Sequence, residues 1–165
     1  MKKNIFKIII LVIIDQIIKL IAIGTIGKTG NSIAIIPNFL HLTYFENIGA
    51  AFGIFISRIF LIGVDVLLIY VLVKLLRSKK EEINDRVKFG ISLVLAGGIG
   101  NLIDRIFRGK VIDYIDLTKK FNFPIFNFAD VCIFIGVLII MITIMIITVK
   151  KQEKAYEKLQ NRRSK

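Results

Sequence analysis

Twelve carboxylates are spread over 165 residues, and seven of them fall where reactive chemistry could use them: Asp15, Glu46, Asp65, Asp104, Asp113, Asp116 and Asp130. The other five, Glu81, Glu82, Asp85, Glu153 and Glu157, sit among lysines and arginines and read as solvated side chains. Asp113 lies in Val-Ile-Asp-Tyr and Asp130 in Phe-Asn-Phe-Ala-Asp, 17 residues apart. If residues 114–129 fold back, the two carboxyls can meet. Two carboxylates in contact cannot both ionise comfortably, so one proton stays on the pair near neutral pH. An acid and a base side by side is what attack of water on an amide requires.

Other routes to hydrolysis are poorly supplied. The chain has no HExxH and no GxSxG, and its single histidine, His41, leaves no Cys–His pair for its single cysteine, Cys132. A Ser57–Lys28 pair is conceivable, but no motif joins the two. Neither a metal site nor another cofactor is expected.

Polar side chains stand close to the carboxylates. Asn101, Asp104 and Arg105 are spaced i, i+3, i+4 and share a helix face. They can cap a helix end or organise a site, with Arg105 holding a carboxylate or a substrate carbonyl. Asn127 followed three residues later by Asp130 reads as a capping arrangement, and the helix dipole favours a carboxylate there. Asp15 has Lys19 on the same face. The two form either a local ion pair that makes an apolar helix tolerable or a polar support reaching toward a site. Asp65, in another apolar run, reads as a structural partner for Lys19 or Arg58.

The elements that must carry these residues are apolar. The chain is 55% hydrophobic yet 22% charged, with mean hydropathy +0.73 and net charge +12. Such excesses coexist when apolar spans alternate with basic clusters, which excludes a soluble globular enzyme, a disordered chain and a disulfide scaffold. Four spans are expected, at about 5–23, 57–76, 87–103 and 130–149, in one membrane domain of residues 1–150 followed by a basic tail, 151–165. Gly97, Gly98 and Gly100 give the third span small surfaces for close helix packing. Lys2, Lys3 and Lys7 before the first apolar run mimic a signal peptide. Asp15, Gln16 and Lys19 interrupt the run and no small-x-small site follows, so a retained span is expected.

Four spans put both termini on one side, with fifteen basic residues against six on the other. The termini are therefore expected in the cytoplasm. No element suited to reading nucleic acid is present. The outer segments, about 24–56 and 104–129, are rich in aromatics. Leu40, Leu42 and Tyr44 alternate with His41, Thr43 and Phe45, and Phe121 and Phe123 with Asn122, as strands do. The expected fold is a membrane all-α bundle of four transmembrane helices with a small extracytoplasmic β layer, a β-cradle, on the outer leaflet.

Five blocks together resemble bacterial lipoprotein signal peptidase, or signal peptidase II. They are Asp15-Gln-Ile-Ile-Lys19, Asn47-Ile-Gly-Ala-Ala-Phe-Gly53, Gly97-Gly-Ile-Gly-Asn-Leu-Ile-Asp-Arg105, Val111-Ile-Asp-Tyr114 and Pro124-Ile-Phe-Asn-Phe-Ala-Asp130. They come in that family's order and spacing and cover nearly the whole chain apart from the tail.

The resemblance implies an intramembrane aspartic endopeptidase of the bacterial cytoplasmic membrane. It would remove the signal peptide from a prolipoprotein by cleaving before the diacylglyceryl-modified cysteine at the outer leaflet. Asp113 and Asp130 match the catalytic dyad. Asp15, Asn47, Asn101, Asp104, Arg105 and Asn127 match its polar support. Membrane lipid and globomycin-type cyclic peptide inhibitors are implied partners. On this view the Gly49–Gly53 stretch lets backbone approach the substrate. Asp65 and the basic tail inherit no role.

Two readings of other classes draw on the same residues. A four-span transporter would use Asp15 or Asp65 as a proton or cation site, and long polar-studded outer segments argue against it. A membrane scaffold leaves Asp15 and the outer carboxylates without a purpose.

Overall fold

The computed structural model describes residues 2–49, 57–79, 83–117, 121 and 123–163. Most of the Gly49–Gly53 stretch, together with Phe55 and Asn122, lies outside them.

The chain runs α1 (Lys2–Gly24), α2 (Ile26–Thr29), β1 (Ile33–Ile36), β2 (Leu40–Asn47), α3 (Arg58–Leu76), α4 (Asp85–Phe107), β3 (Val111–Asp116) and α5 (Phe128–Arg163). Helices α3, α4 and α5 are long and apolar enough to cross a membrane. Helix α1 has 23 residues, with Asp15 and Lys19 inside its apolar stretch. Large apolar side chains cover the outsides of these helices, among them Phe6, Ile13 and Leu20 on α1, Ile59, Phe60 and Leu67 on α3, and Phe134, Met141 and Met145 on α5. Surface of that kind and extent fits a hydrocarbon solvent rather than water.

Helix α4 is the central one, packing against α1, α3 and α5. Its small residues allow close approach to α5. A Cβ at Gly97 would collide with the Ala129 carbonyl, and one at Gly136 would lie 2.6 Å from the Gly90 carbonyl. Gly98 differs from its neighbours, because a Cβ there would meet only Ile69 at 4.0 Å. Gly97 and Gly100, but not Gly98, thus carry the close packing expected of this glycine cluster.

Helix ends follow local chemistry. The Asn84 side chain accepts from the Arg86 and Val87 N–H groups at 3.0 Å and starts α4 two residues before the expected span. Helix α5 runs unbroken from the site into the basic tail for 36 residues, about 54 Å at 1.5 Å per residue.

The three strands form one antiparallel sheet in the order β1-β2-β3. It sits where α1 and α4 end and α5 begins. Ala22, Ile26 and Tyr114 are buried beneath it, packed by Leu42, Tyr44 and Phe128. The alternation at residues 40–45 is strand β2, but Phe121 and Phe123 lie in no strand. The chain instead folds back at Ile115, which exchanges backbone hydrogen bonds with Phe126 at 2.8 and 3.1 Å. Pairing is used up there, so the aromatics make edge-to-face contacts: Phe123 on Phe126 at 5.5 Å and Phe39 on Phe121 at 6.1 Å. Strand β3, which carries Asp113, was not foreseen as a strand; its apolar run lacks clear alternation, and four of its first five residues are buried.

Candidate active site

The fold-back sets Asp113 on β3 beside the start of α5. Asn127 caps that helix reciprocally: the Asp130 N–H donates to Asn127 Oδ1 at 3.0 Å, and the Asn127 N–H donates to Asp130 Oδ2 at 3.1 Å. Asp130 is held as a capping partner, and its other oxygen remains for the site.

Three side-chain amides surround the two aspartates, and each has its orientation forced. Asn127 Oδ1 faces a backbone N–H, which can only donate, so its Nδ2 points away and donates to Asp113 Oδ1 at 2.6 Å. Asn47 Oδ1 accepts from the Gly49 N–H at 3.1 Å, which directs its Nδ2 to Asp113 Oδ2 at 3.0 Å. Asn101 Oδ1 accepts from Lys19 Nζ at 2.9 Å, which directs its Nδ2 to Asp130 Oδ1 at 2.8 Å. Asn127 Nδ2 also lies 3.2 Å from Asn101 Oδ1, joining the two halves. Each aspartate thus receives a side-chain amide donor that cannot flip away.

A layer of buried charge lies behind the amides. Lys19 is wholly buried and spends its three donors on Asp15 Oδ2 at 3.0 Å, Asp104 Oδ2 at 3.0 Å and Asn101. Asp15 Oδ1 accepts from the Ala129 N–H at 3.1 Å, and Asp104 Oδ2 from the Ile112 N–H at 3.1 Å. The layer therefore ties α1 and α4 to the strand and the helix that carry Asp113 and Asp130. Gly100 makes room for it, since a Cβ there would stand 2.5 Å from Asp15 Oδ2. Asp15 is thus paired locally with Lys19 and also reaches the first turn of α5 through the Ala129 N–H.

Sequence reasoning missed three members of this layer. Lys19 entered as a partner for Asp15 or Asp65, whereas it also bridges to Asp104 and aims Asn101. Gln16 Oε1 accepts from Arg108 at 2.8 Å, and Arg108 also pairs with Asp104. The available signals were an amide beside an intramembrane aspartate and an arginine four residues after Asp104.

Asp65 is paired with neither Lys19 nor Arg58. Its Oδ2 accepts from Arg105 at 3.0 Å, across from α3 to α4. Lys19 is already saturated by two carboxylates and an amide, while Arg105 projects from the α4 face toward α3.

Asp113, Asp130, Asn47, Asn101 and Arg105 line one cavity of about 420 Å³. A second, nearly all-apolar cavity of about 470 Å³ adjoins it, lined by Leu117, Phe121, Phe123, Phe126, Val131 and Phe134, and shares Asp130 with the first. Burial, and then the nearby charge of Asp130, pushes the Asp113 carboxyl up to about 7, against hydrogen bonds from Asn47 and Asn127 and the charge of Lys19. No grouping of three His, Cys, Asp or Glu side chains suited to a metal ion occurs among the described residues.

Helices of membrane-crossing length around a polar cavity lined by two aspartates define a membrane protein with a polar pocket among its spans. The family model described as "Signal peptidase (SPase) II" matches residues 7–146, and the chain belongs to that family of membrane peptidases. Proteins called lipoprotein signal peptidase from Staphylococcus aureus, strains JH9 and Newman, are 39% identical over 147 residues, covering 88% of this chain and 90% of theirs. Two solved structures titled as a bacterial membrane enzyme are also similar. One has TM-score 0.82 at 37% identity over 92% of each chain. The other has TM-score 0.76 at 38% identity, over 86% of this chain and 92% of its own.

Proposed function

We propose that this signal peptidase is an aspartic endopeptidase that removes signal peptides from prolipoproteins by cleaving before the diacylglyceryl-modified cysteine, with Asp113 and Asp130 as its catalytic dyad. The observation that carries this reading is the pairing of the two aspartates in one cavity, with Asp113 raised to about 7. At neutral pH the shared proton rests on Asp113, which polarises the scissile carbonyl. Asp130, the acceptor of two N–H groups, draws a proton from the attacking water. The tetrahedral intermediate collapses as Asp130 passes that proton to the leaving amine and Asp113 keeps its own as the carbonyl re-forms, with no covalent intermediate.

Asn47, Asn101 and Asn127 hold the dyad, Asp15 and Asp104 hold the layer behind it, and Arg105 reaches a substrate carbonyl. The peptide occupies the polar cavity, and the adjoining apolar cavity faces the lipid of the modified cysteine. Four spans, α1 among them, with cytoplasmic termini and a site at the outer leaflet of the cytoplasmic membrane, agree with the distribution of basic residues. Globomycin-type cyclic peptides would compete for the same site. A proton-coupled transporter is disfavoured, because Asp15 and Asp65 are both ion-paired.

The test is a gel-shift assay on a lipidated prolipoprotein in detergent. Wild type cleaves it, and Asp113→Asn and Asp130→Asn do not; cleavage by either variant would sink the dyad.

A further inference from the structure

Asp65 is unusual for a side chain in the middle of α3. An aspartate inside a span costs about 2.5–3.5 kcal/mol on insertion scales, and α3 otherwise presents lipid-type surface, with Leu76 its only buried residue. Among its neighbouring helices, α3 packs mainly on α4. Asp65 lies about two turns below the start of α3, whereas Arg105 is two residues from the end of α4. An arginine so close to a helix end has a long, flexible stem and a water layer within reach, and would ordinarily snorkel outward. Here it turns across to Asp65 instead. Both side chains are largely covered, at 16% and 18% exposure, and both line the cavity that holds Asp113 and Asp130.

The contact is one-pronged. Only the Nη1 group of Arg105 bonds to Asp65. A guanidinium carries five N–H donors in a rigid fork, so anchoring one prong sets the direction of the others. Among the described residues no protein acceptor takes those remaining donors. They are available to an acceptor inside the cavity.

We propose that Asp65 is a positioning residue for substrate binding: it holds the Arg105 guanidinium down at the level of the cavity and aims its remaining donors at a carbonyl of the bound peptide. This rests on the reading of the cavity as the peptide site. An aimed donor that meets the substrate in the ground state and the transition state alike lowers KM and leaves kcat nearly unchanged.

The experiment is steady-state cleavage of a lipidated prolipoprotein in detergent, with thermal midpoints measured on the same preparations. Asp65→Asn should raise KM about tenfold, with kcat within about twofold of wild type. Asp65→Glu, which keeps the charge, should recover at least half of that loss. Arg105→Lys keeps the ion pair but lacks the fork, and should reproduce the KM defect; it also carries the test if Asp65→Asn fails to fold. The exchange Asp65→Arg with Arg105→Asp should restore any lost thermal midpoint but not KM, because the guanidinium then starts from the wrong helix.

A wild-type KM in Asp65→Asn or in Arg105→Lys overturns the proposal, as does no recovery in Asp65→Glu. Full recovery of KM in the exchanged pair also overturns it, because the helix tie alone would then suffice. Asp113→Asn in the same assay keeps the two readings apart. If it still cleaves, the dyad is wrong whatever Asp65 does.

Discussion

Replacing Asp113 with asparagine should make the protein inactive and, above neutral pH, more stable. The carboxyl is 1% exposed, and burial and Asp130 raise it from 3.8 to about 7. Between those values the folded protein holds a proton that the unfolded chain has released. Stability therefore falls as pH rises through that window, and the loss is complete above about 7. Over the two pH units from 5 to 7 this amounts to roughly 2–3 kcal/mol at 1.36 kcal/mol per unit. Asparagine does not titrate, so the variant escapes this loss. It has a cost at every pH, since its amide N–H₂ must face one of the donors on Asn47 or Asn127, about 1–3 kcal/mol for the unsatisfied group.

The informative quantity is thus the change with pH in the difference between variant and wild type, from which the constant cost and all other titrations largely cancel. The chain has no tryptophan, so helix melting by circular dichroism in a mild detergent is the appropriate assay. The midpoint of Asp113→Asn relative to wild type should climb by about 4–12 °C between pH 5 and pH 8, then level off. A difference that is flat with pH, or that falls as pH rises, would refute the assignment of the shared proton to Asp113.

Three further outcomes are expected. The rate of cleavage, as kcat/KM, should decline above about pH 7 as Asp113 loses its proton, and a profile still rising at pH 9 would contradict that role. Lys19→Met leaves Asp15 and Asp104 buried without their shared cation and frees Asn101 to flip; a loss of about 3–5 kcal/mol, seen as a much lower thermal midpoint, should accompany loss of cleavage. Gly97→Val drives side-chain atoms into the Ala129 carbonyl at the start of α5, so both midpoint and activity should drop, whereas Gly98→Ala, with open space to Ile69, should keep the wild-type midpoint.

Much of the architecture could be read without coordinates, because a lipid solvent imposes simple rules. Span length follows from bilayer thickness, and basic clusters mark helix ends, so the long apolar helices, three of them able to cross a membrane, and the strand at residues 40–45 were legible. Strand β3 was not, because burial removes the alternation that identifies a strand. Phe121 and Phe123 alternate with Asn122 in sequence yet lie in no strand, and the fold-back pairing is made by Ile115 and Phe126.

The sequence by itself determined which chemistry was available: two aspartates 17 residues apart, amides at fixed spacing around them, and no competing nucleophile with a partner. Spacing along one helix sufficed for the pairing of Asp15 with Lys19 and for the capping of α5, since both are local. Contacts between elements depend on how helices rotate against one another, which no local pattern records. Only the tertiary structure therefore decided that Lys19 bridges two carboxylates and aims Asn101. It alone decided that Arg108 and Gln16 join that layer, and that Asp65 turns to Arg105 rather than to Lys19 or Arg58. The physical reason is saturation: a buried cation takes the partners that surround it, and the three donors of Lys19 are all used by Asp15, Asp104 and Asn101.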